Sequence, residues 1–252
     1  MKRLFLILTI LAVGGDFLKA SPLHKAEVTS VVNDVRLAEP SSGERPAKVR
    51  DVVQGKASLN TGIRSLAEII FEDKTLARFG ANTRFSFEQG TRNMDLKYGT
   101  MLLQVPKNIG GATIRTASII AAITGTTILM EYNLGHYTKV IVVEGALRIY
   151  LKKRPSESVL LQAGQMIFIA PNATTLPEPA NIDLKRLVLT SKLIHGIVGS
   201  LDSGEIEGAL LEDDVNILAK TRTSAGGGNV LQTTGQAAKN NPNAKISGNR
   251  KP

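Results

Sequence analysis

Glycine recurs at near-regular intervals along the middle of this chain, and each glycine introduces an apolar stretch of five or six residues. The intervals are 19, 26, 20 and 19 residues. The glycines are Gly80, Gly99, Gly125, Gly145 and Gly164. Short apolar stretches separated by turn residues are typical of stacked β-hairpins. The recurrence therefore predicts an all-β fold, a β-roll or sandwich of short strands, and disfavours a catalytic α/β enzyme.

The β-strand pattern dominates residues 52–170, which we predict to form one β domain. Arg84–Glu88 and Met94–Lys97 alternate apolar and polar residues, and this period of two places one face of each strand in a core. Residues 138–143 are more continuously apolar, which predicts a central strand covered on both faces. Glu72–Thr75 are polar and predict a hairpin turn between two apolar stretches.

The segments on either side of the β domain have a different character. Residues 21–51 predict an N-terminal strand at 26–39 and then a loop. After Pro171, apolar residues recur at helical spacing from Leu184, and Asp183 is suited to cap that helix, which we expect to run over 183–195. Three segments are expected beyond the β domain: a Pro-containing linker (171–182), a helical extension (183–222) and a disordered basic tail (223–252). The helical extension should contain a second helix at 203–220.

The N-terminus has the layout of a secretory signal peptide. Two basic residues precede an apolar run, Leu4–Val13, and Ala20 stands before Ser21 as the expected cleavage position. The ten apolar residues of the run are too few to span a bilayer, which takes roughly 20. We therefore expect residues 1–20 to direct export and the mature chain to be periplasmic or secreted, with no transmembrane span.

Composition excludes several kinds of chemistry. The chain has no cysteine, so it has no disulfide, thiolate metal site or cysteine nucleophile. Its three histidines, His24, His136 and His195, are far apart in sequence, and no phosphate loop or nucleophile elbow occurs. Glu72 and Asp73 are adjacent and fit a polar turn better than an acid/base pair. We expect no catalytic site, no metal and no cofactor.

The formal net charge is +9, but the basic residues are scattered. The longest basic cluster is Lys152-Lys153-Arg154, in an apparent turn, and no basic stripe is interleaved with aromatic residues. A solvated basic surface explains this pattern better than a nucleic-acid site, so we expect no nucleic-acid partner.

Several short motifs between residues 52 and 170 resemble the FecR domain in their order along the chain. Ala57–Gly62 is similar to its early "L-x-T-G" turn, and Gly99–Lys107 to its "G-x-L-x-x-Q-V-x-K" step. Thr116–Thr126 resembles the family's most recognisable segment, which ends in a Gly-Thr corner. The structural turns that the resemblance implies are Gly62, Gly80, Gly99, Gly125, Thr126, Glu144, Gly145 and Gly164.

The resemblance implies an all-β domain of the cell envelope with a binding and signalling function. The best-known family members are membrane-spanning regulators that sense a TonB-dependent outer-membrane transporter and control a sigma factor through a cytoplasmic segment. Only three residues precede the apolar run here, so we expect no such cytoplasmic segment and hence a stand-alone exported FecR-domain protein.

Two functions remain open on the sequence alone. The first is non-enzymatic binding of an envelope protein, for example a TonB-dependent receptor, or of a glycan, in signal sensing through exposed turns or an open strand edge. The second is a structural envelope protein that binds anionic wall or lipid polymers through its basic surface and tail. A hydrolase would need a pocket with convergent titratable groups, which the sequence does not show.

Overall fold

The computed structural model describes residues 21–195, which form 17 β-strands and two short helices. The strands are β1 (Lys25–Val32), β2 (Val35–Glu39), β3 (Gly43–Pro46), β4 (Val52–Gln54), β5 (Ser58–Thr61), β6 (Leu66–Phe71), β7 (Leu76–Phe79), β8 (Arg84–Phe87), β9 (Asn93–Gln104), β10 (Ala112–Arg115), β11 (Ile119–Ile123), β12 (Thr127–Asn133), β13 (Tyr137–Glu144), β14 (Ala146–Leu151), β15 (Arg154–Gln162), β16 (Gln165–Ile169) and β17 (Ala180–Asn181). The helices are α1 (Leu184–Thr190) and α2 (Lys192–His195).

The strands form two sheets that share β9. Sheet I has the order β4-β1-β6-β7-β9-β12-β13-β16-β17. Sheet II has the order β3-β2-β5-β8-β9-β10-β11-β14-β15. The first half of β9 pairs with β8 and β10 in sheet II, and its second half pairs with β7 and β12 in sheet I. The expected all-β fold is confirmed.

The core lies between the two sheets. Phe71 and Phe79 of sheet I meet Phe87 and Phe85 of sheet II, with ring centroids 5.0 Å and 4.6 Å apart. The Phe71–Phe87 pair is edge-to-face, a favoured geometry for aromatic rings. Strand alternation supplies the rest of the core, so every second residue of the central strands is buried between the sheets.

The outer face of sheet I is also covered over part of its width. Directly paired residues form a row across adjacent strands: Glu68, Arg78, Leu102, Leu129 and Ile141. All five are buried, although they point away from the main core. Residues 138–143 were predicted to form a central strand covered on both faces. This is confirmed, because β13 lies between β12 and β16, and Ile141 on its outer face is buried as well as its inward-facing neighbours.

Helices α1 and α2 follow the β-sheets and bury three apolar side chains, Val188, Leu193 and Ile194. The Asp183 carboxylate accepts a hydrogen bond of 2.9 Å from the Arg186 backbone N–H, so the predicted cap is confirmed. The helical region is not one continuous helix over 183–195, because Ser191 has extended backbone angles and separates α1 from α2. Within residues 21–195, no helix is long and apolar enough to cross a bilayer.

Three predictions for the first half of the chain need correction. The single strand expected at 26–39 is two strands, β1 and β2, because Asn33 takes a positive φ of 60° and turns the chain. The loop expected after it contains β3, which pairs with β2. Since β1 also pairs with β6, the β fold begins well before residue 52.

Two glycine positions also differ from the expectation. Gly99 does not open a new strand: it lies inside β9, so the stretches on either side of it belong to one strand. The sequence Gly110-Gly111 is typical of a hairpin turn, but it does not form one, because β9 and β10 are parallel and the segment between them crosses from sheet I to sheet II. The predicted signal peptide, second helix at 203–220 and tail at 223–252 lie outside the described residues.

Gly99 allows β9 to bend from one sheet into the other. Its φ is +100°, and a Cβ placed on it would lie 2.3 Å from Thr83 Oγ1 and 2.4 Å from Thr83 Cα. Both the backbone angle and the space therefore require glycine at this position.

We expect Gly99→Ala to lower the free energy of unfolding by about 3 kcal/mol or more, because backbone strain and overlap with Thr83 add together. Gly135→Ala is the matched control, since Gly135 has a φ of +78° but open space around it, and should cost only about 1 kcal/mol. Urea unfolding of both variants measures the difference, and equal losses would contradict the role assigned to Gly99.

Candidate functional site

Most of the turn residues that the family resemblance implied lie at or beside two corners between strands. At the first corner the Thr83 hydroxyl accepts from the Thr100 N–H at 3.0 Å and donates to the Thr100 carbonyl at 3.2 Å. The Thr61 hydroxyl donates to the Gly80 carbonyl at 2.5 Å. Gly62 lies beside this corner, where a Cβ would come within 2.8 Å of the Asp34 carboxylate.

The second corner likewise combines glycine residues with a threonine hydroxyl that donates to a backbone carbonyl. Gly125 and Gly145 have positive φ angles of 60° and 78°, and the Thr126 hydroxyl donates to the Ala146 carbonyl at 2.8 Å. Glu144 forms an ion pair of 3.3 Å with Lys107. Gly164 has a positive φ of 78° at the turn between β15 and β16, with open space where a Cβ would lie. The hydrogen bonds at both corners are made within the fold, so these residues position strands.

Titratable side chains do not gather into a catalytic group. No cluster of three His, Asp or Glu suited to a metal ion occurs within residues 21–195. His136 is exposed in the turn between β12 and β13. Glu72 and Asp73 bind different partners: Glu72 accepts from the His24 N–H at 3.3 Å, and Asp73 pairs with Arg92 at 2.5 Å.

Arg78 is a buried charge that the sequence did not mark. Its Nε donates to the Glu68 carboxylate at 2.7 Å, and its Nη1 donates to the carbonyls of Leu193 and Ile194, each at 2.9 Å. Glu68 also accepts from the Thr29 hydroxyl at 2.6 Å. The guanidinium therefore ties the outer face of sheet I to α2, and its charge is balanced by a carboxylate that is itself buried.

We expect Glu68→Gln to destabilise the fold by about 3–5 kcal/mol, because it leaves the Arg78 charge buried without its carboxylate. Arg36→Gln is the control: the exposed Arg36–Asp34 pair should contribute no more than about 1 kcal/mol. Chemical denaturation measures both, and amide hydrogen exchange in 184–195 should rise for Glu68→Gln alone. Unchanged exchange would show that Arg78 does not hold the helices.

The accessible backbone edge of the β-sandwich is at β15. The other outer strands of the described sheets, β3, β4 and β17, have four, three and two residues, and β3 ends in proline. β15 has nine residues and pairs along one side only, with β14. Edge strands present unpaired N–H and C=O groups to which another strand can bind.

The direction of the free backbone groups in β15 follows from its register. The Ala163 N–H donates to the Gly145 carbonyl at 3.0 Å, and hydrogen-bonded pairs alternate along an antiparallel ladder. The backbone groups of Ser158 and Leu160 therefore point away from β14. The Gln162 N–H points the same way, and the Gln165 side chain accepts from it at 2.8 Å.

The outward side chains in the second half of β15 are also exposed to solvent. Ser158 and Leu160 are exposed, and Leu160 retains 45% of its accessible area. The charged and proline residues that discourage strand pairing, Arg154, Pro155 and Glu157, are confined to the first half. We call Ser158–Gln162 the open edge. The open edge lies within the β domain predicted at 52–170, but its edge position depends on which strands surround it.

Residues 57–148 match the family model described as FecR protein. No curated protein matches the chain.

Two crystal structures of a protein assigned as an anti-sigma factor from Parabacteroides distasonis are similar to this chain. They have 14% and 15% sequence identity and TM-scores of 0.46 and 0.45. Each similarity covers 52% of this chain and 62% of the other, so the chain spans less than two thirds of the length of these structures.

Proposed function

We propose that the protein is an exported, non-enzymatic binding protein of the bacterial envelope with a signalling role, because residues 57–148 match the FecR family model. Its partner is an extended segment of another envelope protein, for example a TonB-dependent receptor, which adds as a strand to the open edge. The family match supports a signalling-related role, and the signal-peptide pattern at 1–20 supports export.

The open edge is the single observation that carries the binding mode. Strand addition gains main-chain hydrogen bonds, and side-chain positions on alternate residues give specificity. Ser158 and Leu160 supply two outward N–H groups and two outward carbonyls, which is enough to bind a short segment in register. Leu160 adds an exposed apolar side chain beside the incoming strand.

The fold holds this edge in a defined position. Val159 and Leu161 alternate with the outward residues and pack toward the core, and Leu161 is fully buried. The free backbone groups therefore stay aligned before a partner arrives, and little ordering entropy opposes binding.

Crosslinking of the tagged, full-length protein in cells, followed by mass spectrometry, identifies the partner. A photo-reactive residue at position 160 should capture one envelope protein, whereas the same residue at the exposed position 134, in the β12–β13 turn, should not. Equal capture from both positions would contradict binding at the open edge.

We expect Leu160→Lys and Leu160→Pro each to lower capture of that protein about tenfold or more. Lysine places a charge at the pairing edge, and proline removes the outward N–H without removing a bond to β14. Leu134→Lys is the control, because it also replaces an exposed leucine but lies away from the strand edge. Capture that resists both edge substitutions would refute strand addition.

The alternative function, binding of anionic wall or lipid polymers, makes a different prediction. Its support in the described region is the exposed basic turn Lys152-Lys153-Arg154. Binding of this kind weakens steeply with salt and does not depend on Leu160. Recovery of polymer alone, released by salt, would favour this alternative over strand addition.

A further inference from the structure

A cavity of about 350 Å³ lies at one end of the β-sandwich, separate from the open edge and from the two corners. The β12–β13 hairpin supplies Tyr132, Tyr137 and Thr138, and Ser118 comes from the turn before β11. Lys153 and Arg154, at the β14–β15 turn, line one side, and the loop 171–174 closes another.

Three hydroxyl groups, those of Ser118, Tyr132 and Thr138, line this cavity, and we call them the hydroxyl floor. Tyr132 is 7% exposed and Thr138 is fully buried. The hydroxyls of Ser118 and Thr138 are 3.3 Å apart, so one of them donates to the other and the second keeps its hydrogen for another acceptor. Within residues 21–195 the Tyr132 hydroxyl makes no hydrogen bond. The Tyr132 hydroxyl is not among the fully buried unpaired atoms, so it is accessible from the cavity, and together with the spare hydroxyl hydrogen it makes this floor suited to a polar ligand.

The cavity is positively charged. The side chains of Lys153 and Arg154 have no carboxylate partner within the described residues, and Arg154 donates only to the Thr174 carbonyl, at 3.4 Å. No acidic residue is among those that line the cavity in residues 21–195. Two carboxylates on the elements that form the cavity have partners outside it: Glu157 accepts from the Leu176 N–H at 3.2 Å, and Glu131 pairs with Lys139.

The ring of Tyr137 lines the cavity, and its hydroxyl stays protonated near neutral pH. Its hydroxyl donates to Glu131 at 2.5 Å, and this hydrogen bond raises the pKa of Tyr137. Burial opposes ionisation of Glu131, but hydrogen bonds from Lys139 and Tyr137 outweigh it and lower the pKa of Glu131. The phenol therefore stays neutral and the carboxylate charged near neutral pH, and the tyrosine ring keeps a fixed position.

We propose that this cavity binds an acidic sugar, a single ring that carries a carboxylate or phosphate group. The acid group lies against Lys153 and Arg154, where charge-assisted hydrogen bonds are strongest. The sugar hydroxyls bond to the hydroxyl floor, and the less polar ring face packs on Tyr137. The volume is at the low end of the roughly 300–1,000 Å³ of small-molecule sites, which suits one ring and not a chain. This site is independent of strand addition at the open edge.

Titration of the ¹⁵N-labelled protein by NMR tests the proposal with glucuronic acid, glucose 6-phosphate, glucose and inorganic phosphate as probes. We expect saturable shifts around the cavity with at least one of the two acidic sugars, and the stronger binder identifies the acid group. Glucose should bind at least tenfold more weakly. Phosphate with the same affinity as the acidic sugars would overturn the assignment to a sugar, and no saturation by either acidic sugar would overturn the site.

Two substitutions test separately the hydroxyl floor and the cations at the rim of the cavity. Tyr132→Phe removes one hydroxyl without changing ring packing, and Arg154→Gln removes one cation from the rim. Each should weaken binding of the acidic sugar about tenfold, and Arg154→Gln should also reduce the preference over glucose. Lys48→Gln, at an exposed lysine between β3 and β4, should change neither. Equal binding by Tyr132→Phe, Arg154→Gln and Lys48→Gln would overturn the proposal, whereas Leu160→Lys should leave sugar binding intact.

Discussion

The structure depends on β9 belonging to both sheets. A strand of 12 residues that pairs with four neighbours fixes the position of sheet I relative to sheet II. The bend needed for this lies at Gly99, where the backbone of Thr83 comes so close that no side chain fits. The hydrogen bonds between Thr83 and Thr100 hold the bend, and the facing phenylalanines then fill the space between the sheets.

A second constraint follows from covering sheet I on both faces. Once the outer face is buried, a charge there must be matched, and Arg78 is matched by Glu68 and by two carbonyls of α2. The interaction makes the helices after the β-sheets part of the same packed unit. It also explains why α2 ends in carbonyls that face the sheet, since a guanidinium can satisfy several acceptors at once.

The two proposed binding surfaces lie where this covering stops. Sheet II ends in β15, a long strand whose second half carries neither charge nor proline. The other outer strands of the described sheets are short. The cavity beside the β14–β15 turn arises because two hairpins and the loop 171–174 meet around hydroxyl groups without filling the space between them. Both features involve β15, whose first residue, Arg154, lines the cavity and whose second half is the open edge. They use different groups, backbone at the edge and side chains in the cavity.

The sequence alone determined the local features of this protein. Glycine spacing and alternation predicted the all-β fold. Polar or basic residues predicted the turns at 72–75 and 152–154, and an aspartate before a helical pattern predicted the Asp183 cap. Each of these features depends on residues close together in the chain. The tertiary structure alone decided that Gly99 bends a strand, that Arg78 is buried and that β15 is an edge. These depend on residues 16 to more than 100 positions apart, such as Arg78 and Ile194, whose proximity no local pattern records.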